Sequence, residues 1–393
     1  MTEKLFESDS FLYFTKGRVV SCEKCENGFE IILDRTVFFP EGGGQPSDIG
    51  KISSVNVLKT YYKNEEIVHL CNAALKVGSE VDETVDAEHR FDNIQQHTGE
   101  HMLSYAFWHL FGAVNVGFHM NSEVATIDLD RQVTHEQVIK AEQFANRQIY
   151  ENLPIKVYYT TLSQLKNKKV RKISDKGGEI PRVVEIEGGD ICTCCGTHAN
   201  FTGTVGIIKI IKSEKMRSGT RLEFLCGTRA LKYFERQTET AHAVVEELST
   251  DFGNAPDRIK EFKSRISDLN VNLKRKTEIL SEYRAKEILN SAENGFALAL
   301  EENINPKEAR FLLNRLIKKC KAATVIFIDN SRVNYICACS EQGKYDCKFL
   351  CEILNGLFSG KGGGSNTFSQ GGGNFASDWK ERAEIFKKTI GRN

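Results

Sequence analysis

The sequence predicts an α+β protein in four consecutive parts: an N-terminal β-barrel, an α+β metal-binding domain, a helical hairpin and a C-terminal α/β domain rich in glycine. Three observations predict it. Short β-type runs separated by turn residues fill the first 90 residues or so, and helical spacing alternates with strands to about residue 226. Apolar residues at alternating three-and-four spacing then give way, near residue 295, to a renewed helix and strand pattern.

Residues 1–90 carry "GFEIILDRTVFFP" and "EIVHLCNAAL", joined by the loop "PEGGGQPSDIG". Residues 91–226 open on a helix for which Asp92 is the expected N-cap, with Gln95 at the capping-box position and Ile94, Leu103, Phe107 and Leu110 at helical spacing. The strands "VATIDLD", "IKVYYT", "PRVVEIEGGDI" and "VGIIKIIK" follow, interrupted by the helical "HEQVIKAEQFANRQIYENL". Residues 227–294 read as two helices: Phe234, Ala241, Val244 and Leu248 mark one seam, and Ile259, Phe262, Ile266, Leu269 and Leu273 mark the other, with Pro256 suited to a first helical turn. Residues 295–393 run helix, strand, strand, helix, and then the glycine loop "SGKGGGSNTFSQGGGN".

With 393 residues the chain has surface enough to bury more than one core. Lys plus Arg equals Asp plus Glu at 53 each, so nucleic-acid contact requires local basic patches rather than a global field. Twelve cysteines without regular spacing, and charges in "MTEKLFESDSFLYF" where a secretory signal needs an apolar run, point to the reducing cytoplasm. No apolar run is long enough to span a membrane.

Two segments carry candidate chemistry. In "HTGEH", His97 and His101 stand four apart on the expected helix, one turn apart on one face. The same spacing recurs at Cys194 and His198 in "ICTCCGTHAN". Three imidazoles and a thiolate suit zinc, and anchors from remote segments lock two elements around one ion. Cys192 and Cys195 form the one pair in this stretch with redox Cys-x-x-Cys spacing, a weaker reading; Cys192 is expected buried on a strand, and Cys195 is a competing thiolate. "HTGEH" also fits the inverted zinc-peptidase pattern His-x-x-Glu-His with Glu100 as general base, but that reading leaves "CCGTH" unused.

"FFPEGGGQPSDIG", "HTGEH", "GFHMNSEVATIDLD", "PRVVEIEGGDICTCCGTH" and "SGKGGGSNTFSQGGG" appear in an order that resembles the alanyl-tRNA editing proteins of the AlaX type, nearest to the long subgroup. The resemblance covers most of the chain. It implies a zinc-associated hydrolase acting in trans on tRNA for alanine mischarged with serine or glycine. His97, His101, Cys194 and His198 carry over as the zinc ligands, and Cys195 departs from the usual Cys-Gly-Gly-Thr-His.

An aminoacyl ester needs a placed water and a stabilised oxyanion. His119 is the first polar candidate to orient water or ribose hydroxyls, Glu100 a candidate base, and Thr126 a candidate to tell a serine hydroxyl from an alanine methyl. Gly42, Gly43 and Gly44 permit close backbone approach to the tRNA end, and Arg182 is expected to meet phosphate or pair with Asp190. "KNKKVRK" at 166–172 and the set Lys209, Lys212, Lys215, Arg217 and Arg221 form basic patches for phosphate.

"GLFSGKGGG" lacks P-loop spacing: three residues separate Gly356 from Gly360, and Gly362 stands where Ser or Thr would hold magnesium. This segment resembles instead the terminal domain of alanyl-tRNA synthetase, which implies tRNA binding and self-association, with a homodimer expected through the helical and C-terminal regions. A zinc peptidase and a non-enzymatic zinc-containing RNA-binding module are the competing functions.

Overall fold

The computed structural model describes residues 2–166, 168–173, 178–340 and 345–391. The chain divides into two compact units, Met1–Ala243 and Val244–Asn393. No helix is long and apolar enough to cross a membrane among the described residues.

The first unit begins with β1 (Glu3–Lys4), a short helix α1 (Leu5–Ser8), β2 (Phe14–Cys25), β3 (Gly28–Leu33), β4 (Arg35–Thr36), β5 (Gly50–Ile52), β6 (Val55–Lys63), β7 (Glu66–Cys71) and β8 (Glu80–Val85). Six strands pair in the order β2, β3, β7, β6, β5, β8, and β8 returns antiparallel to β2, so the ring of hydrogen bonds closes as a barrel. Closure leaves no open edge and encloses Val19, Ile31, Leu33, Phe38, Ile52 and Val81. A polar cluster sits among them: Thr36 donates its hydroxyl to Glu83 Oε2 at 2.7 Å and lies 2.9 Å from His69 Nε2.

Helix α2 (Ala87–Phe111) leaves the barrel capped by Asp86, whose side chain accepts from His89 N–H, and ends at Gly112 with φ of 62°. The expected cap at Asp92 is therefore corrected. Asp92 lies inside the helix, paired with Arg229. The first turn, "AEHRF", has no apolar stripe to reveal it. Arg90, fully buried, holds it to the barrel instead, forking onto Asp48 and donating to Ser10 O at 2.8 Å and to Val37 O at 2.5 Å.

After α2 come β9 (Asn115–Met120), β10 (Ala125–Leu129), α3 (His135–Glu151), β11 (Ile155–Tyr159), α4 (Leu162–Leu165), β12 (Arg182–Ile186), β13 (Ile191–Thr193), β14 (Ile208–Met216), β15 (Gly219–Cys226) and α5 (Gly227–Glu247). Strands β14, β15, β10 and β9 make an antiparallel sheet whose inward residues Ala125, Ile127, Leu222 and Phe224 share a core with Leu103, Phe107, Ala141 and Ala145 of α2 and α3. Strands β11, β12 and β13 form a second sheet, and the segment after β13 is "CCGTH".

The second unit contains α6 (Ala255–Asn290), β16 (Phe296–Glu301), α7 (Pro306–Leu316), β17 (Ala322–Asp329), β18 (Arg332–Cys339), α8 (Cys347–Leu357), β19 (Lys361–Gly364), β20 (Phe368–Asn374) and α9 (Trp379–Gly391). Pro256 stands in the first turn of α6, and the seam residues Ile266, Leu269 and Leu273 are exposed. The sheet order is β16, β17, β18, β20, β19. Leu350, Leu354 and Phe386 cover one face; Ala285, Leu312 and Leu316 cover the other. The expected glycine loop is an antiparallel pair, with Gly362 opposite Gly371. A strand ladder is built from backbone groups, so residues without side chains can join it unseen by any apolar alternation.

Candidate metal centre

Helix α2 delivers His97 and His101, and the turn after β13 delivers Cys194 and His198. One donor atom from each lies within 4.8 Å of all the others. Cys194 Sγ is 3.4 Å from His97 Nε2 and 3.3 Å from His198 Nε2. All three histidines are at most 2% exposed.

The surroundings fix which ring nitrogens face inward. His97 Nδ1–H donates to Gln45 Oε1 at 2.8 Å, which leaves Nε2 facing Cys194. Gln45 also accepts from Thr197 N–H at 3.1 Å and donates to Thr197 Oγ1 at 2.8 Å, so one buried side chain spans both halves of the cluster. The turn is tied down further by Ala199 N–H to Thr98 Oγ1 and His198 N–H to Ser10 Oγ, both 3.1 Å. Gly196 is obligatory there, because a Cβ at that position would run into the His97 ring.

Burial pushes the Cys194 thiol up, but the His97 and His198 imidazoles outweigh it and hold the thiol well below its ordinary value. Burial brings His198 down to about 3, whereas at His101 the neighbouring Cys192 and Asp190 outweigh burial and hold the imidazole well above its ordinary value. A thiol held low beside three imidazoles is the donor set of a tetrahedral nitrogen and sulfur site, and these residue types fit zinc.

The cysteines separate by strand geometry. Cys192 is buried beside His101, and Cys195 is exposed and outside the donor cluster. Glu100 is buried next to the centre: Oε1 accepts from Ser104 Oγ at 2.6 Å and Asn115 Nδ2 at 2.7 Å, while Oε2 stands 3.7 Å from His101 Nε2.

A cavity of about 760 Å³ is lined by Gly42, Gly44, Gln45, His89, Asn93, His119 and Arg229. Gln45 lines this cavity and bonds His97, which makes it the link between the opening and the cluster. The glycine loop lies on the edge of β9, where Gly44, at φ of 85°, accepts from Met120 N–H at 3.2 Å; a Cβ there would meet Phe118. Gly43 is not part of the lining.

Other expected residues stand elsewhere. Thr126 alternates with the inward Ala125 and Ile127, and its hydroxyl donates to His119 O at 3.3 Å. Arg182 is corrected from a phosphate binder to a strut: it is 5% exposed, and its Nη1 donates to Cys194 O and Gly196 O, both at 2.9 Å. Asp190 pairs with Arg171 instead. Lys209 is engaged by Glu142 at 2.8 Å and Lys212 by Glu214 at 2.6 Å, while Lys215 is exposed. In the patch 166–172, Lys168 binds Glu185 at 2.6 Å and Arg171 faces inward; Asn167 lies outside the described residues. Gln45, between Gly44 and Pro46, carries no spacing signal in the sequence: its partners lie 52 and 152 positions away.

The family described as threonyl and alanyl tRNA synthetase second additional domain matches residues 182–222, and class II (A) tRNA synthetases match residues 7–89. The chain is 29% identical over 385 residues to the alanyl-tRNA editing protein AlaX-L of Pyrococcus horikoshii, covering 94% of each chain. It is 30% identical over 395 residues to the alanyl-tRNA editing protein Aarsd1-A of Xenopus laevis, covering 95% of this chain and 94% of that one. With Aarsd1 of Rattus norvegicus the identity is 34% over 286 residues, 68% of this chain and 69% of the relative. A resident buried metal-type donor set and full-length likeness at this identity lead to one conclusion: the chain belongs to the alanyl-tRNA editing protein family.

Proposed function

We propose that this protein is a trans-editing hydrolase that cleaves the aminoacyl ester of tRNA for alanine mischarged with serine or glycine. The observation that carries the reading is the convergence of His97, His101, Cys194 and His198 within 4.8 Å, with Gln45, the hydrogen-bond partner of His97, in the lining of the neighbouring cavity. These four residues would hold Zn2+, which when bound supplies Lewis-acid polarisation of the ester carbonyl and of water. Gln45 keeps His97 in its productive tautomer. Glu100, anchored through Oε1 by Ser104 and Asn115, keeps Oε2 available to accept a proton from the attacking water. His119 and the loop at Gly42 and Gly44 line the cavity in which the tRNA end and its ribose would lie. Lys215 remains available for phosphate; Lys209 and Lys212 would first have to leave their carboxylate partners.

The four sequence regions, 1–90, 91–226, 227–294 and 295–393, are proposed as barrel, editing domain, helical arm and terminal tRNA-binding and self-association domain. The test is deacylation of Ser-tRNA, Gly-tRNA and Ala-tRNA of the alanine acceptor by purified protein, with metal analysis alongside. Release of serine or glycine, with alanine retained, is expected. Intact mischarged substrates would refute the hydrolase and leave a binding module; cleavage of unstructured peptides, lost in Glu100→Gln, would establish the peptidase.

A further inference from the structure

The second nitrogen of His101 has its own buried surroundings. Its Nδ1 lies 3.1 Å from Asp190 Oδ2 and 3.3 Å from Cys192 Sγ. Both oxygens of Asp190, which is 0% exposed, are taken by a forked guanidinium: Arg171 Nε reaches Oδ1 at 2.8 Å and Nη2 reaches Oδ2 at 2.8 Å. The Arg171 side chain is itself 4% exposed.

The backbone explains how an arginine from the basic stretch comes inside. Residues 171–173 run beside β13: Arg171 N–H donates to Ile191 O at 2.9 Å, Thr193 N–H donates to Lys172 O at 3.1 Å, and Lys172 bridges Cys192 in parallel. Strand alternation then sends Arg171 to the buried side.

His101, Asp190 and Cys192 have the donor types of a second cation site. That seat is filled. Arg171 Nη2 is 2.8 Å from Asp190 Oδ2 and 3.7 Å from Cys192 Sγ, so a permanent cation already occupies the carboxylate. A buried carboxylate and guanidinium are weak evidence for stability, since desolvation offsets their attraction. Their contact with a ligand imidazole gives them another use.

We propose that Asp190 is the positioning residue for His101, accepting its Nδ1–H so that Nε2 is presented to the metal, and that Arg171 locks Asp190 in that orientation. This rests on the metal reading given above. It assigns Arg171 to the metal centre and removes it from the RNA-binding patch.

The test uses the full chain with Co2+ as a spectroscopic probe and Zn2+ retention against a chelator. Asp190→Asn is expected to weaken binding of either ion about 10–100-fold and to alter the cobalt ligand-field bands. Because this change strands a buried guanidinium, the double variant Asp190→Asn/Arg171→Gln, with no unpaired charge, is measured in parallel, with circular dichroism to confirm folding. Wild-type affinity and wild-type bands in either folded variant would overturn the proposal. His97→Ala separates the two levels of the argument. If it too keeps wild-type cobalt binding, the metal centre itself is wrong; if it loses the ion while the Asp190 variants keep it, only the positioning role falls.

Discussion

Replacing Gln45 with alanine removes the side chain that joins the two halves of the centre. Gln45 is 1% exposed and makes three hydrogen bonds, with His97 Nδ1, Thr197 N and Thr197 Oγ1. Gln45→Ala leaves His97 Nδ1–H and Thr197 N–H buried without acceptors, at about 1–3 kcal/mol each, so about 2–6 kcal/mol is lost if nothing relaxes. The same change frees His97 to rotate or exchange tautomers, for which a 10–100-fold fall in metal affinity is the usual order. Gln45→Glu is the informative control. It keeps an acceptor for both N–H groups, and the Thr197 hydroxyl can turn to donate, so the glutamate variant should retain metal far better than the alanine variant. Denaturant melts give the stability change, and zinc competition with a chelator gives the affinity. Equal zinc affinity in the wild type and Gln45→Ala would refute the claim that this contact sets the His97 ligand.

Other substitutions probe separate links. Gly196→Ala should lower zinc content, because its methyl enters the His97 ring position; metal analysis of folded protein checks this. Cys194→Ser should lose the ion while Cys195→Ser retains it, since only the former thiol is in the cluster. Arg90→Met strands the fully buried Asp48 and should cost about 3–5 kcal/mol in a denaturant melt. Burial pushes the Glu83 carboxyl from its ordinary 4.5 up to about 7, so the folded barrel holds that proton more tightly than the unfolded chain does. Its stabilising share is present below pH 4.5 and is lost as pH rises through about 7, by about 3 kcal/mol in all. Wild type measured against Glu83→Gln between pH 5 and 8 should show that slope, and parallel curves would refute it.

The four candidate ligands were legible because helical periodicity alone places residues four apart on one face, and because two such pairs of metal-binding types are rare by chance. The start of α2 was not legible. Its first turn is anchored by a buried ion pair between Arg90 and Asp48, 42 positions apart, and no local pattern encodes that partnership. Gly362 to Gly364 and Gly371 to Gly373 gave no strand signal, since alternation needs side chains to alternate.

By itself the sequence determined the local matters: which residue types can hold a metal, their spacing within each segment, and which runs prefer strand or helix. Tertiary structure alone decided the pairings. It set Cys194 rather than Cys195 against His97, gave Asp190 to Arg171 and left Arg182 to brace the turn, and made Gln45 the bridge. The physical reason is range. Dihedral preference and periodicity act within a few residues, whereas burial makes every polar group take whichever partner the fold brings within about 3 Å.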